Sequence, residues 1–176
     1  ALQQAWSDGE RLYASDGRRL LAVDTPMGGS KDALLAVSSE GKTAPADEKL
    51  PTAHERTVAI LEAADKATSL GPVSAEELFR IANRAKAMLG ENTTVSLWKK
   101  GNKLYAQYKE AEIGEFQQGG KPPKDAAYLG AYDYNYLRDA ASTARRLGTE
   151  NPDVAVVPIG DGTALVLRGD KWRSVT

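Results

Sequence analysis

Ser74-Ala75-Glu76-Glu77-Leu78-Phe79-Arg80-Ile81-Ala82-Asn83-Arg84-Ala85-Lys86-Ala87-Met88-Leu89 orders the rest of the chain around it. Ser74 and Glu77 make a capping box: the hydroxyl accepts from the amide three residues on, and the glutamate can reach back. Leu78, Ile81, Ala82, Ala85, Met88 and Leu89 recur at helical spacing and share a face, and Gly90 can stop the helix. A helix with one apolar stripe must cover it against something else. Downstream, residues 94–98 and 103–108 read as strands joined by a Gly101-Asn102 turn, then a strand near 112–116 and a Gly, Lys and Pro loop over 119–124. A second helix is expected over 134–147, with Asp133 as N-cap and Gly148 as stop. Its inward face is Tyr136, Leu137, Ala140, Ala141, Ala144 and Leu147. Strands at 154–158, 164–168 and 172–175 close the chain, with turns at Asp161-Gly162 and Gly169-Asp170. The pattern predicts an α+β domain over 74–176, both helices lying on one face of a mainly antiparallel sheet.

Upstream, residues 1–6, 11–15, 20–23 and 33–37 read as short strands. Asp8-Gly9 and Asp16-Gly17 separate the first three and supply the positive-φ geometry of tight turns, so a meander is expected. Residues 39–51 read as an exposed connection. Residues 52–69 have helical propensity and their own capping box, Thr52 with Glu55. The expected division is a partial strand region over 1–50, a connection with helical character over 51–73, and a complete domain over 74–176.

The chain has 176 residues, 27% charged and 41% hydrophobic, with 23 basic residues against 24 acidic. Disorder needs high net charge and little apolar material, so this balance excludes it. No apolar run reaches the ~18 residues of a membrane span. The lack of Cys excludes a disulfide framework, thiolate metal sites and Cys nucleophiles, and suits a reducing cytoplasm, the expected location. No basic and apolar leader opens the chain, so no signal peptide is expected.

Catalytic signals are sparse. His54 is the sole histidine, which leaves no His pair for metal or proton transfer; beside Glu55 it is expected as an exposed polar residue at a helix start. Asp8, Asp16, Asp161 and Asp170 all adjoin Gly, where turn chemistry accounts for them. No GxSxG, HExxH or GxGxxG occurs, and Gly160-Asp161-Gly162 is too short for a phosphate loop. Neither an enzyme nor a metal or other cofactor is expected.

The bases are distributed unevenly. Arg80 and Arg84 are one turn apart, away from the first apolar stripe. Arg138 and Arg145, seven apart, lie nearly one above the other with Ser142 between them, and Arg146 is further round. A solvated face with bases near helix C-termini accounts for this pattern. So does a pair of adjacent helices that present arginine to a phosphate backbone without reading bases.

Leu12-Tyr13-Ala14-Ser15-Asp16-Gly17-Arg18-Arg19-Leu20-Leu21-Ala22-Val23 resembles the strand-turn-strand signature of the bacterial DNA polymerase III beta subunit, the sliding clamp, written Ala-Thr-Asp-Gly-His-Arg-Leu-Ala in that family. Tyr134-Asn135-Tyr136-Leu137-Arg138-Asp139-Ala140 is similar to the family's Phe-Asn-x-x-Tyr-Leu-x-Asp-Ala. Ala164-Leu165-Val166-Leu167-Arg168, followed by Trp172-Arg173-Ser174-Val175, resembles its closing strands, without the terminal Met-Pro. Leu50-Pro51 leading to Glu55-Arg56 resembles the inter-domain Phe-Pro-x-x-x-Arg. The order along the chain matches the family's.

The resemblance implies clamp-type domains whose Arg80, Arg84, Arg138, Arg145 and Arg146 face duplex DNA, touching it weakly and without sequence preference. It implies a non-enzymatic processivity role and docking of short peptides from DNA polymerase or other replication and repair proteins. Carried over by position, the peptide pocket would use Ser15, Gly17, Arg18, Arg19, Leu20 and Val175, with Arg18 standing where the family has His. It further implies a homo-oligomer or a piece of a larger ring, with no membrane partner. The other readings are a ring-less clamp-fold interaction module, adaptor or decoy, and a small enzyme of unknown class.

Overall fold

Two Asp-Gly turns start the chain's first sheet. The computed structural model describes residues 4–30, 32–89, 94–110, 114–118 and 121–176. In chain order the elements are β1 (Gln4–Ser7), β2 (Gly9–Ser15), β3 (Leu20–Gly28), β4 (Leu35–Val37), β5 (Thr43–Pro45), α1 (Leu50–Lys66) and α2 (Ala75–Leu89). They continue with β6 (Thr94–Lys100), β7 (Lys103–Glu110), β8 (Gly114–Gln118), β9 (Ala127–Asp133), α3 (Tyr134–Arg146), β10 (Asp153–Ile159), β11 (Gly162–Gly169) and β12 (Trp172–Val175). They form two compact units, Ala1–Lys66 with Asp170–Val175, and Ala67–Gly169 with Thr176. This differs from the division expected at 1–50, 51–73 and 74–176: α1 belongs to the first unit, and so does β12, which pairs antiparallel with β3.

In the first unit the order β12-β3-β2-β1-β4-β5 is antiparallel throughout. At the second turn the Asp16 carboxylate accepts the amides of Arg18 and Arg19, each at 2.9 Å, while Gly17 takes φ +83°. The segment expected as an exposed connection contains β5, three exposed residues hydrogen-bonded along β4.

Helix α1 begins before the Thr52 box. Asp47 accepts the amides of Lys49 and Leu50, both at 3.0 Å, so Asp47 caps the helix and Pro51 lies in its first turn, where its missing N–H costs nothing. Leu50, His54, Thr57, Leu61 and Ala64 are buried along one stripe. The exposed position expected for His54 is therefore wrong: it is 7% exposed, because the helix begins two residues early and sets His54 on the inward stripe. Trp6 and Tyr13, opposed across β1 and β2, stack with ring centres 5.6 Å apart, and the His54 ring meets Tyr13 edge-on at 5.2 Å. Trp6 Nε1 donates to His54 Nδ1 at 3.2 Å. An accepting Nδ1 carries no proton, which leaves that of the neutral ring on Nε2, 4.0 Å from Asp8 Oδ2.

Asp8 is also buried. It accepts the Tyr13 hydroxyl at 2.7 Å and the amides of Arg11 and Glu10 at 2.8 and 3.0 Å. Burial disfavours the charged carboxylate, but these donors outweigh it and hold its pKa below the ordinary 3.8. Burial together with the hydrogen bond to Asp8 pushes the Tyr13 hydroxyl up.

The second unit has a sheet ordered β8-β7-β6-β9 and the antiparallel hairpin β10–β11. Ser74 Oγ accepts the Glu77 amide at 3.2 Å, as the capping box predicts. Asp133 accepts the Asn135 amide at 2.7 Å and caps α3. The helix ends in a Schellman motif: Gly148 at φ +72° donates to Arg145 O and Thr149 donates to Ala144 O. Gly90, the expected stop of α2, lies outside the described residues, as do part of the expected 112–116 strand and of the 119–124 loop.

Helices α2 and α3 pack side by side, α2 on β7 and α3 on β9, so both cover one face of the same sheet. Ala75, Leu78, Ile81, Ala82 and Ala85 of α2 and Tyr134, Leu137, Ala140, Ala141 and Ala144 of α3 are buried. Tyr108 of β7 donates to Ile81 O at 3.3 Å, and burial pushes its hydroxyl pKa up to about 12. Met88 and Leu147, expected inside, are exposed at the C-terminal ends of their helices; Tyr136 is half-buried, and Tyr134 takes the inward place.

Strand β9 is absent from the sequence reading. Its register along β6 steps from Gly130 opposite Leu97 to Tyr128 opposite Trp98, a bulge in which Gly130 takes φ +129°. Leu129 and Gly130 are buried in succession, which breaks the alternation that identifies a strand.

The first unit's polar core gives a pH-dependent expectation. A depressed native pKa means that Asp8 stabilises fully above its unfolded value of about 3.8, and that this contribution is lost as pH falls through the native value. Asp8→Asn should be less stable than the parent by about 1–3 kcal/mol at neutral pH. Urea unfolding at a series of pH values should find this gap narrowing below 3.8. A gap unchanged with pH would mean that the carboxylate charge contributes nothing.

Candidate functional site

Once the apolar stripes of α2 and α3 are turned to the sheet, their remaining faces carry the arginines. Arg80 and Arg84 project from α2 and are exposed, as are Arg145 and Arg146 of α3. Arg138 is half-buried, with Nη2 3.6 Å from Asp139 Oδ1 of the same helix.

Two of the five arginines meet at one acid. Glu76 Oε1 accepts Arg80 Nε at 3.0 Å, an i,i+4 pair. Glu76 Oε2 lies 3.3 Å from Arg145 Nη1, across the seam between the helices. The Arg145 guanidinium also sits 4.8 Å from the centre of the Phe79 ring, a cation–π contact. Phe79, Ser142, Arg145 and Arg146 line a shallow open depression along the seam. Ser74, Glu76, Arg145, Glu150 and Asn151 line a second. Arg84 and Arg146 have no carboxylate partner among the described residues. The sequence reading placed the arginines outside the stripes but missed Glu76 and Phe79. The spacing of Glu76 and Arg80 was a legible signal; the reach of Arg145 depends on helix packing.

In the first unit, Ser15 stands opposite Leu20 across β2 and β3, and Leu20 stands opposite Val175 across β3 and β12. Three expected pocket residues thus lie abreast on adjacent strands. Ser15 Oγ donates to Arg19 O at 2.8 Å and accepts the Gly17 amide at 3.1 Å. The Arg19 guanidinium is held by Asp16, Nε to Oδ2 at 2.8 Å. Gly17 and Arg18 are exposed on the turn, whereas Leu20 and Val175 are buried, 6% and 4% exposed.

Among the described residues no three His, Cys, Asp or Glu side chains are placed to hold a metal ion, and no helix is long and apolar enough to cross a membrane. Asp161 and Asp170 are exposed turn residues.

No protein-family model matches the chain, and no curated protein matches its sequence. Solved structures do match its fold. The beta subunit from DNA polymerase of Streptococcus pyogenes superposes with a TM-score of 0.65 at 11% identity, covering 99% of this chain and 57% of that one. A DNA polymerase sliding clamp from Pseudomonas aeruginosa gives 0.63 at 15% identity, covering 98% and 56%. A sliding clamp from Bartonella birtlesii bound to griselimycin gives 0.59 at 14% identity, covering 94% and 52%. The chain spans about half the length of these structures. It has the clamp fold over that span.

Burial of Leu20 sets a stability expectation. Leu20→Ala should cost about 2–5 kcal/mol, the range for truncating a buried leucine, whereas Arg18→Ala on the exposed turn should stay within about 0.5 kcal/mol of the parent. Urea unfolding measures both. A Leu20→Ala variant as stable as the parent would place Leu20 at an open surface instead of in the core.

Proposed function

We propose that the chain acts as a sliding-clamp-like protein, touching duplex DNA through the outer face of α2 and α3 and receiving short peptides of DNA polymerase or other replication and repair proteins at the region of Ser15, Gly17, Arg18, Arg19, Leu20 and Val175. The observation that carries this is the pair of adjacent helices, in a clamp fold, with their arginines outside the apolar stripes. Guanidinium groups on a helix surface contact phosphate oxygens, which carry no base information, so binding follows charge and not sequence. A protein that must move along DNA needs such contacts to be weak, and the near balance of 23 bases and 24 acids leaves attraction to the local patch alone. The work is positional and not catalytic: it holds partners near DNA, as a homo-oligomer or as part of a larger ring.

A second reading is a clamp-fold interaction module that does not hold DNA. The pairing of Arg80 and Arg145 with Glu76 favours it, since that carboxylate offsets positive charge on the face. Titration of labelled duplex at low and moderate salt, with the mass measured by light scattering, separates the two. The clamp reading expects roughly micromolar or weaker affinity without sequence preference, the usual non-specific range. Arg84→Glu or Arg146→Glu should flatten the slope of log K against log salt by about one to two units, a lost contact plus a new repulsion. No binding at low salt, with both arginines immaterial, would leave the interaction module. Tight binding to a single sequence would point to a base-reading protein instead.

A further inference from the structure

Glu76 lies in the first turn of α2 and gives each of its carboxylate oxygens to a different arginine, one from its own helix and one from α3. The three side chains are partly open to solvent, 46% for Glu76, 72% for Arg80 and 46% for Arg145. Exposed ion pairs contribute little to folding. Their effect on a polyanion is different in kind. A phosphate approaching Arg80 or Arg145 meets the Glu76 charge at the same place, and must displace it to gain the guanidinium contact. Arg84 and Arg146 carry no such competitor among the described residues.

We propose that Glu76 sets the nucleic-acid affinity of the α2–α3 face by competing with phosphate for Arg80 and Arg145; this rests on the DNA-contact reading above. One acid placed across the seam reduces the number of phosphates that the face can neutralise. The face then keeps arginines that steer DNA toward it without holding DNA in one place. The half-buried Phe79 ring beneath Arg145 keeps that guanidinium within reach of Glu76.

The test compares the parent with Glu76→Gln, which keeps the size of the side chain, removes its charge and leaves one acceptor oxygen where the carboxylate had two. With labelled duplex titrated over a salt series, Glu76→Gln should bind several-fold more tightly at low salt. Its slope of log K against log salt should steepen by about one unit, one more phosphate neutralised. Glu62→Gln removes the same charge from an exposed position on α1, where Glu62 faces Lys66 at 3.9 Å, and should change neither quantity. Arg145→Gln should cost more affinity in the Glu76→Gln background than in the parent, because its charge is no longer masked. Thermal unfolding of each variant checks that the fold is retained. If the parent binds and Arg84→Glu weakens it, but Glu76→Gln leaves affinity and slope unchanged, the proposal is wrong and the DNA-contact reading stands. If Glu62→Gln tightens binding equally, the effect is net charge and the proposal is wrong. If neither parent nor Glu76→Gln binds at low salt, both fall together.

Discussion

The buried stripes of α2 and α3 are built largely from alanine: Ala75, Ala82 and Ala85 in one helix, Ala140, Ala141 and Ala144 in the other. Small side chains let helix axes approach closely, and neither stripe has enough apolar area to make a core without its neighbour and the sheet beneath. Side-by-side packing on one sheet face follows, with Leu78, Ile81 and Leu137 filling the space between helices and strands. Once the stripes are committed inward, the charged residues have one place left. Arg80 and Arg84 come to lie beside Arg145 and Arg146 on a common outer surface, although the two sets are more than fifty residues apart in sequence.

That surface is cationic only in part. Glu76 draws in an arginine from each helix, and Arg138 leans toward Asp139. Charges so close to solvent are screened within about 10 Å at ordinary ionic strength, so the field of this face is short-ranged. In a chain with one more acid than bases, long-range attraction is weak. What the chain shares with solved sliding clamps is the fold, over about half of their length.

The first unit is held in another way. Its core contains a polar group of four, Trp6, Asp8, Tyr13 and His54, in which the indole N–H donates to an imidazole nitrogen and the phenol donates to the carboxylate. Buried polar groups without partners would cost more than this arrangement gains, so the network constrains α1 to one rotation over β1 and β2. The sole histidine, which could suggest proton chemistry, is instead engaged in that packing.

Local chemistry made much of this legible. The Ser74 and Asp133 caps, the Gly148 stop, the Asp-Gly turns and the closing strands are all set by residues within a few positions of one another, which is why their reading needed no partner. The clamp-like strand-turn-strand and the outward placement of the arginines were legible for the same reason. Tertiary structure decided the rest. Asp47 replaced Thr52 as the cap because Leu50 had to join the buried stripe with His54. Strand β9 was hidden by a bulge whose positive φ at Gly130 is meaningful only against β6. The junction of Arg80, Arg145 and Glu76 exists only because two helices, distant in sequence, bury their stripes together. Capping and turn preferences act over single hydrogen bonds between near neighbours, whereas burial is a property of surfaces that meet only when the chain is folded.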